Sequence, residues 1–398
     1  MLSLRSDFPV FDADPALAYL DTAATAQKPR AVVEAITRAY ATDYATVHRG
    51  VYRRSQVMTE AYEAARETTA RFINAASAQE IVFVRGATEA INLVAQSWGG
   101  ANLGPGDEVV LSELEHHSNI VPWQLMRDRL GFTIKVVPIT ADGDFDYAAA
   151  ATLIGPRTRL VAVTHVSNVL GTTVDIARVA ALAHAQGAQL LVDGCQAAPR
   201  TRVDVQALGA DFYVFSAHKL YGPTGIGVLW GRAALLEAMP PWQGGGAMIE
   251  TVTFEHTTFL PPAQRFEAGT PHIVGALGLK AAIDYVEGVG LAAIHAHEAA
   301  LTRAAQEALG RFNSVRVLGP GHASGIVSFV MEGVHPHDIG TILDEAGVNI
   351  RAGHHCAQPL MDRLGVPATA RASFGLYSNE RDVERLAEGM EKVVRIFR

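Results

Sequence analysis

The run Phe212-Tyr213-Val214-Phe215-Ser216-Ala217-His218-Lys219-Leu220-Tyr221-Gly222-Pro223-Thr224-Gly225-Ile226-Gly227-Val228-Leu229 decides the fold. It begins with continuous rather than alternating apolar residues, the mark of a strand covered on both faces, and a Gly- and Pro-rich turn leads into a second such run. Working outward, similar runs recur at 81–84, 109–111, 134–137, 160–163 and 190–192, which makes seven between residues 81 and 229. Most are separated by stretches of helical length. Between 175 and 186, for example, Ile176, Val179, Ala180 and Ala183 share one stripe, with Asp175 at the start and Gly187 after the end. The spacing predicts an α/β fold: a mainly parallel seven-stranded sheet wrapped by helices, with ligands at the carboxyl ends of the strands.

From 240 to 271 the pattern dissolves into PPWQGGG, a Thr-rich stretch and RFEAGTP. That is long for a plain connector and reads as a lid or a contact to a second subunit. Helical patterns follow at 274–285 and 294–309, with strand-like runs at 315–318, 326–330 and 371–374. They predict a smaller α+β domain. We expect a large domain over 17–270 and a small one built from 1–16 plus 271–398.

The formal charge of -8 over 398 residues lacks the basic excess that a phosphate backbone requires, so nucleic acid is not an expected partner. No stretch approaches the apolar length of a membrane span, and the first residues carry acids where an apolar signal core would run. The expectation is a cytoplasmic protein without a membrane partner. Two cysteines, Cys195 and Cys356, are too few for a disulfide framework. Lysine occurs at five positions, so any chemistry that needs a primary amine has five candidates.

Of these, Lys219 stands at the carboxyl end of an apolar strand beside a Gly-rich turn, where an amine can condense with an aldehyde. If the aldehyde is pyridoxal phosphate, the ring nitrogen needs a carboxylate and the phosphate needs the N–H groups of a helix start. Asp193 ends the run 190–192 and supplies the first; a pyridinium would in turn relieve the cost of burying that carboxylate. Gly86-Ala87-Thr88-Glu89 opens a helical run and supplies the second, with Ser216 and His218 adding polar groups near the lysine. The G-x-G-x-x-G, G-x-x-x-x-G-K-[ST] and G-x-S-x-G motifs do not occur in the contexts that would make them dinucleotide, P-loop or hydrolase sites. The pairs His116-His117 and His354-His355 and the HPH run at 335–337 lack acidic or Cys partners at ligand spacing, so no metal is expected. Cys356 lies in RAGHHCAQP (351–359), in a loop bracketed by Gly and Pro. Imidazoles and an arginine beside a thiol are a setting for a nucleophile. Arg371, at the start of an apolar run, can clamp a carboxylate bidentately.

The chain resembles the class V aminotransferase-like, fold-type I pyridoxal phosphate enzymes, and within them the group II (SufS-type) cysteine desulfurases of the SUF iron–sulfur assembly system. The resemblance runs nearly the whole length, through YLDTAATAQKP (19–29), VHRGVY (47–52), GATEAINLVA (86–95), ELEHHSNIVPWQ (113–124), THVSNVLGT (164–172), LVDGCQ (191–196), FSAHKLYGPTGIG (215–227), GGGAMI (244–249), RFEAGTP (265–271), RAGHHCAQP and RASF (371–374). It implies Lys219 as the Schiff-base lysine, Asp193 against the ring nitrogen, Gln196 near the ring hydroxyl, and His116 stacked on the ring and moving protons. It also implies Ala87, Thr88, Ser216 and His218 at the phosphate, with Thr270 reaching the phosphate of the other subunit of a homodimer. Asn168 and Arg371 would hold the carboxylate of L-cysteine. Cys356 would take the sulfur as a persulfide, release L-alanine and pass the sulfur to a SufU-like or SufE-like acceptor. Selenocysteine lyases and cysteine-sulfinate desulfinases share such a site and are the alternative. Two positions depart from the family's usual pattern: Ala217 stands where Gly is common, and Cys195 where Ala is. Cys195 is therefore expected to pack rather than react.

Overall fold

A short strand, β1 (Ala18–Tyr19), precedes seven longer ones: β2 (Ile81–Val84), β3 (Glu108–Ser112), β4 (Thr133–Val137), β5 (Thr158–Thr164), β6 (Gln189–Asp193), β7 (Phe212–Ser216) and β8 (Gly227–Gly231). The computed structural model describes residues 2–323 and 325–397. The seven longer strands form one sheet in the order β2-β8-β7-β6-β5-β3-β4. Strands β7, β6, β5, β3 and β4 run parallel, and β8 lies antiparallel between β7 and β2. This is the mostly parallel sheet that the apolar runs predict, and its central strands are continuous in apolarity because helices cover both faces. Phe212, Tyr213, Val214 and Phe215 of β7 have no exposed surface. The covering helix Ile176–His184 starts where Asp175 Oδ1 accepts the Arg178 N–H at 3.1 Å and buries Ile176, Val179, Ala180 and Ala183. Full burial of Ile176 and Val179 contributes roughly 1.5–3 kcal/mol each.

The stretch 240–271 is less formless than its sequence suggests. It contains an antiparallel hairpin, β9 (Ile249–Val252) and β10 (Thr257–Phe259), cross-linked by the Thr251 and Thr258 hydroxyls at 2.7 Å. The hairpin has no buried face, so no alternation of apolar residues announces it.

The second sheet is built from β11 (Val315–Leu318), β12 (Ile326–Met331), β14 (Arg351–Gly353) and β15 (Thr369–Ser373), antiparallel in the order β11-β12-β15-β14, with β13 (Val348–Asn349) just before β14. Leu301, Phe329, Ile339 and Leu386 share its core, which the helices Leu291–Leu309, Pro336–Glu345 and Glu380–Phe397 close. Arg371 sits at the middle of β15, opposite Ser328 and Arg351, rather than at a strand start, because Thr369 and Ala370 are buried strand residues too. The N-terminal segment joins the two sheets. β1 pairs in parallel with β13, Asp21 bridges Ser373, and a few residues later the Ala26 N–H reaches the His218 carbonyl at 2.9 Å. Among the described residues no helix is long and apolar enough to cross a membrane.

Candidate active site

Parallel strands β5, β6 and β7 end side by side, and their carboxyl ends deliver Thr164, Asp193 and Ser216 to one edge. A single turn of 3-10 helix, Ala217–Lys219, follows β7 and places Lys219 over that edge. Lys219 and Asp193 line one cavity of ≈ 220 Å³, together with His116, Asn168, Cys356 and Arg371. Chain topology thus brings together residues as far apart in sequence as 116 and 371. Asp193 is buried, and its Oδ1 accepts the Cys195 N–H at 3.0 Å. Gly194 presses against the ring of Tyr213, where a Cβ would come within 2.3 Å of the hydroxyl, so a side chain there would displace the turn that carries Asp193. Below it, Tyr213 Oη and His165 Nδ1 are bonded at 3.0 Å.

Ala87, Thr88, Ser216 and His218 belong both to this cavity and to an adjoining one of ≈ 690 Å³ that also takes in Gly86 and Thr224. The helix Ala87–Val94 points its first turn at this junction, and the Ala87 N–H donates to Ser216 Oγ at 2.8 Å. Gly227 on β8 permits the close approach, since a Cβ there would lie 2.6 Å from Gly86 Cα.

His116 is half-buried. Its Nδ1 accepts the Ser118 N–H at 3.1 Å and lies 2.6 Å from Ser118 Oγ, which leaves Nε2 with the ring proton and free to serve the cavity. Burial, and then the Lys219 ammonium, hold its pKa down to about 4, so the ring is neutral at physiological pH. His218 is held down to about 4 by burial and by Lys219 as well. Burial pushes the Cys195 thiol up to about 12, helped by the Asp193 carboxylate, which leaves it inert as a nucleophile. Cys195 Sγ lies 3.9 Å from Ser216 Oγ in a packed position.

The smaller sheet supplies the opposite wall. Arg371 Nη1 donates to the Asn168 carbonyl at 2.7 Å and Nη2 to Asp21 at 3.2 Å, while its buried Nε has no partner among the described residues. Burial lowers its pKa only to about 10, so the guanidinium stays charged. Cys356 is exposed at the cavity mouth, after β14 and before the helix Gln358–Leu364. His355 and Cys356 are consecutive residues with positive φ, 52° and 56°. Each such non-glycine residue costs on the order of 1–3 kcal/mol, so outside contacts must hold the loop.

Two residues singled out from the sequence do not line this cavity. Gln196 lies behind the wall: its Nε2 donates to the Ala23 carbonyl at 2.8 Å and its Oε1 accepts from Arg200 at 2.7 Å, so it reaches the cavity through Ala23. Thr270 lines separate surface grooves near Glu267 and Pro271. Sequence reasoning missed Asp21, which stands between Arg351 and Arg371 and bonds each at 3.2 Å. A carboxylate following β1 was a readable signal, but its partners lie 330 and 350 residues away.

A family model described as aminotransferase class-V matches residues 18–386. A cysteine desulfurase of Dickeya dadantii is 52% identical over 398 residues, covering 99% of this chain and 97% of that protein. One from Klebsiella pneumoniae (strain 342) is 51% identical, with 99% and 98% covered. Among solved structures, the cysteine desulfurase CsdA from Escherichia coli superposes with a TM-score of 0.93 at 41% identity, covering 99% of this chain and 98% of that one. The apo cysteine desulfurase of Thermococcus onnurineus NA1 gives 0.94 at 40% identity, with 98% and 97% covered. The cofactor of this family is pyridoxal phosphate, and the residues present fit it: an amine, a buried carboxylate and the N–H groups of a helix start surround one space, alongside a buried Arg371 Nε that has no acceptor among the described residues. The chain belongs to the class V aminotransferases, as a fold-type I pyridoxal phosphate enzyme, and within them to the cysteine desulfurases.

Proposed function

We propose that the chain takes sulfur from L-cysteine as a persulfide on Cys356 and passes it to an acceptor protein for iron–sulfur cluster assembly, in a SUF-type system. The observation that carries this reading is that an exposed thiol shares a cavity with Lys219 and Asp193. Pyridoxal phosphate, when bound, supplies an electron sink next to the substrate's Cα. Lys219 would hold its aldehyde carbon and Asp193 its ring nitrogen. Ala87, Thr88, Ser216 and His218 would hold its phosphate, joined by Thr270 of a second copy of the chain. Gln196, tied to Ala23, would back that wall.

The remaining steps belong to this chain's own side chains. Arg371, whose Nε has no partner among the described residues, offers its guanidinium to the substrate carboxylate, while the Asn168 main-chain carbonyl and Asp21 fix its plane. His116, neutral and anchored at Nδ1, handles a proton at Nε2. The Cys356 thiolate attacks the substrate sulfur. The S–S bond forms as the Cβ–S bond breaks, the electron pair of that bond stays on the carbon fragment, and a proton delivered there gives L-alanine. Cys356 is left as S–SH.

An exposed carrier thiol supports transfer to a SufU-like or SufE-like acceptor. The helix Pro336–Glu345, preceded by His335 whose ring stacks on that of His337, packs along β14 and provides a neighbouring surface. Full exposure of Val51 and Phe254, at 103% and 108%, supports a homodimer that covers them. Two unpaired cysteines support a cytoplasmic setting. The test is Cys356→Ser: cysteine-dependent alanine release should fall at least about a hundredfold. Full retention would favour a selenocysteine lyase or sulfinate desulfinase, which depends less on the thiol.

A further inference from the structure

The helix Gln358–Leu364 begins with an alanine, Ala357, at its N-cap, and that residue has no side chain with which to bond the first-turn N–H groups. The missing cap comes from 241 residues away: His117 Nε2 accepts the Gln358 N–H at 3.0 Å. The same residue's own N–H donates to the Cys356 carbonyl at 2.7 Å. His117 therefore grips the chain on both sides of Ala357, the residue after Cys356, from a turn whose preceding residue, His116, lines the cavity. On the other flank Asn168 Nδ2 holds the His355 carbonyl at 2.8 Å, and His355 Nε2 is bonded to Thr369. Between these points sit the two left-handed residues, which local preference alone would not keep in place.

We propose that His117 is a positioning residue for sulfur transfer: its ring, through the acceptor lone pair on Nε2, holds the loop so that Cys356 Sγ stays aimed into the cavity. The main-chain bond from His117 to Cys356 fixes where the loop sits, and the ring bond to Gln358 fixes its direction of exit. Acceptance at Nε2 requires the neutral ring with its proton on Nδ1. Burial, with His354 beside it, favours that neutral form. Reach matters as much as polarity. A glutamine carbonyl extends about as far from the backbone as Nε2, whereas an asparagine carbonyl stops near the position of Nδ1.

The inference rests on the persulfide reading of Cys356, and the test separates the two. Holoenzyme is mixed rapidly with L-cysteine, quenched with an alkylating agent, and persulfide on Cys356 is followed by mass spectrometry in wild type and in His117→Ala, His117→Asn and His117→Gln. Loss of one net hydrogen bond should slow persulfide formation about tenfold in the Ala and Asn variants. His117→Gln should stay within about threefold of wild type on the same grounds. The change in cofactor absorbance on adding L-cysteine should keep its midpoint in all of them, since substrate binding does not pass through the loop. Equal rates for the Asn and Gln variants, fast or slow, overturn the proposal, and that pair decides even where His117→Ala does not fold. Absence of persulfide in the wild type would instead sink the underlying reading of Cys356.

Discussion

Lys219 and Cys356 line the same cavity but are held by opposite means. Lys219 follows a strand whose first four residues, Phe212 to Phe215, have no exposed surface, in the middle of a sheet whose neighbours β6 and β8 fix it from both sides. Cys356 is exposed, lies on a loop with two left-handed residues, and is fastened by hydrogen bonds from His117 and Asn168, residues remote in sequence. Close packing holds the half that must keep a cofactor in register. A few directional bonds hold the half that, in the proposed function, presents sulfur to an acceptor, and such bonds break and re-form far more easily than a core repacks.

Phe215→Ala puts this contrast under the greatest load. It empties a fully buried aromatic site next to Ser216 and should cost about 3–5 kcal/mol in denaturant unfolding, with loss of bound cofactor. A cost below about 1 kcal/mol would mean that the strand end is not braced by packing. A second test acts through pH. His165 is buried against Tyr213, and burial holds its pKa down from 6.5 to about 4. The unfolded chain therefore binds the proton first, so this contribution to stability is complete above pH 6.5 and is lost as pH falls through about 4. His165→Asn keeps an acceptor for the Tyr213 hydroxyl but does not titrate. Between pH 6.5 and pH 4 wild type should lose up to about 3 kcal/mol more than this variant. Parallel curves would show that the histidine beneath Asp193 is not held neutral by the fold. The smallest effect belongs to Cys195→Ala, where the thiol only packs beside Ser216. Steady-state alanine release should remain within about twofold, a change no larger than a lost weak contact produces. Abolished turnover with cofactor retained would assign Cys195 a chemical part.

The same contrast governs how much was legible in the sequence. Strands β2, β6 and β7 announce themselves because burial on both faces leaves uninterrupted apolar runs, whereas the edge strand β4 is largely exposed and broken by Lys135; Lys219 and Asp193 then follow as polar residues at the ends of the buried runs. The helix start at Gly86 is legible for a similar local reason. The opposite wall is not, because its organisation rests on pairings across hundreds of residues. Nothing near Asp21 names Arg351 and Arg371 as its partners, and nothing near Cys356 says that His117 caps the helix beyond it. The hairpin at Ile249–Val252 and Thr257–Phe259 escaped because it buries nothing. Gln196 and Thr270 enter by resemblance, yet within a single chain one is bonded to the Ala23 carbonyl behind the cavity wall and the other faces a separate groove.

In the proposed function Cys356 receives the sulfur that chemistry at Lys219 sets free. Mass spectrometry of the holoenzyme after brief exposure to L-cysteine tests it most directly. One added sulfur atom is expected on Cys356, none on Cys195, and none on either cysteine in Lys219→Ala. An unmodified Cys356 in an enzyme that still releases alanine would contradict it.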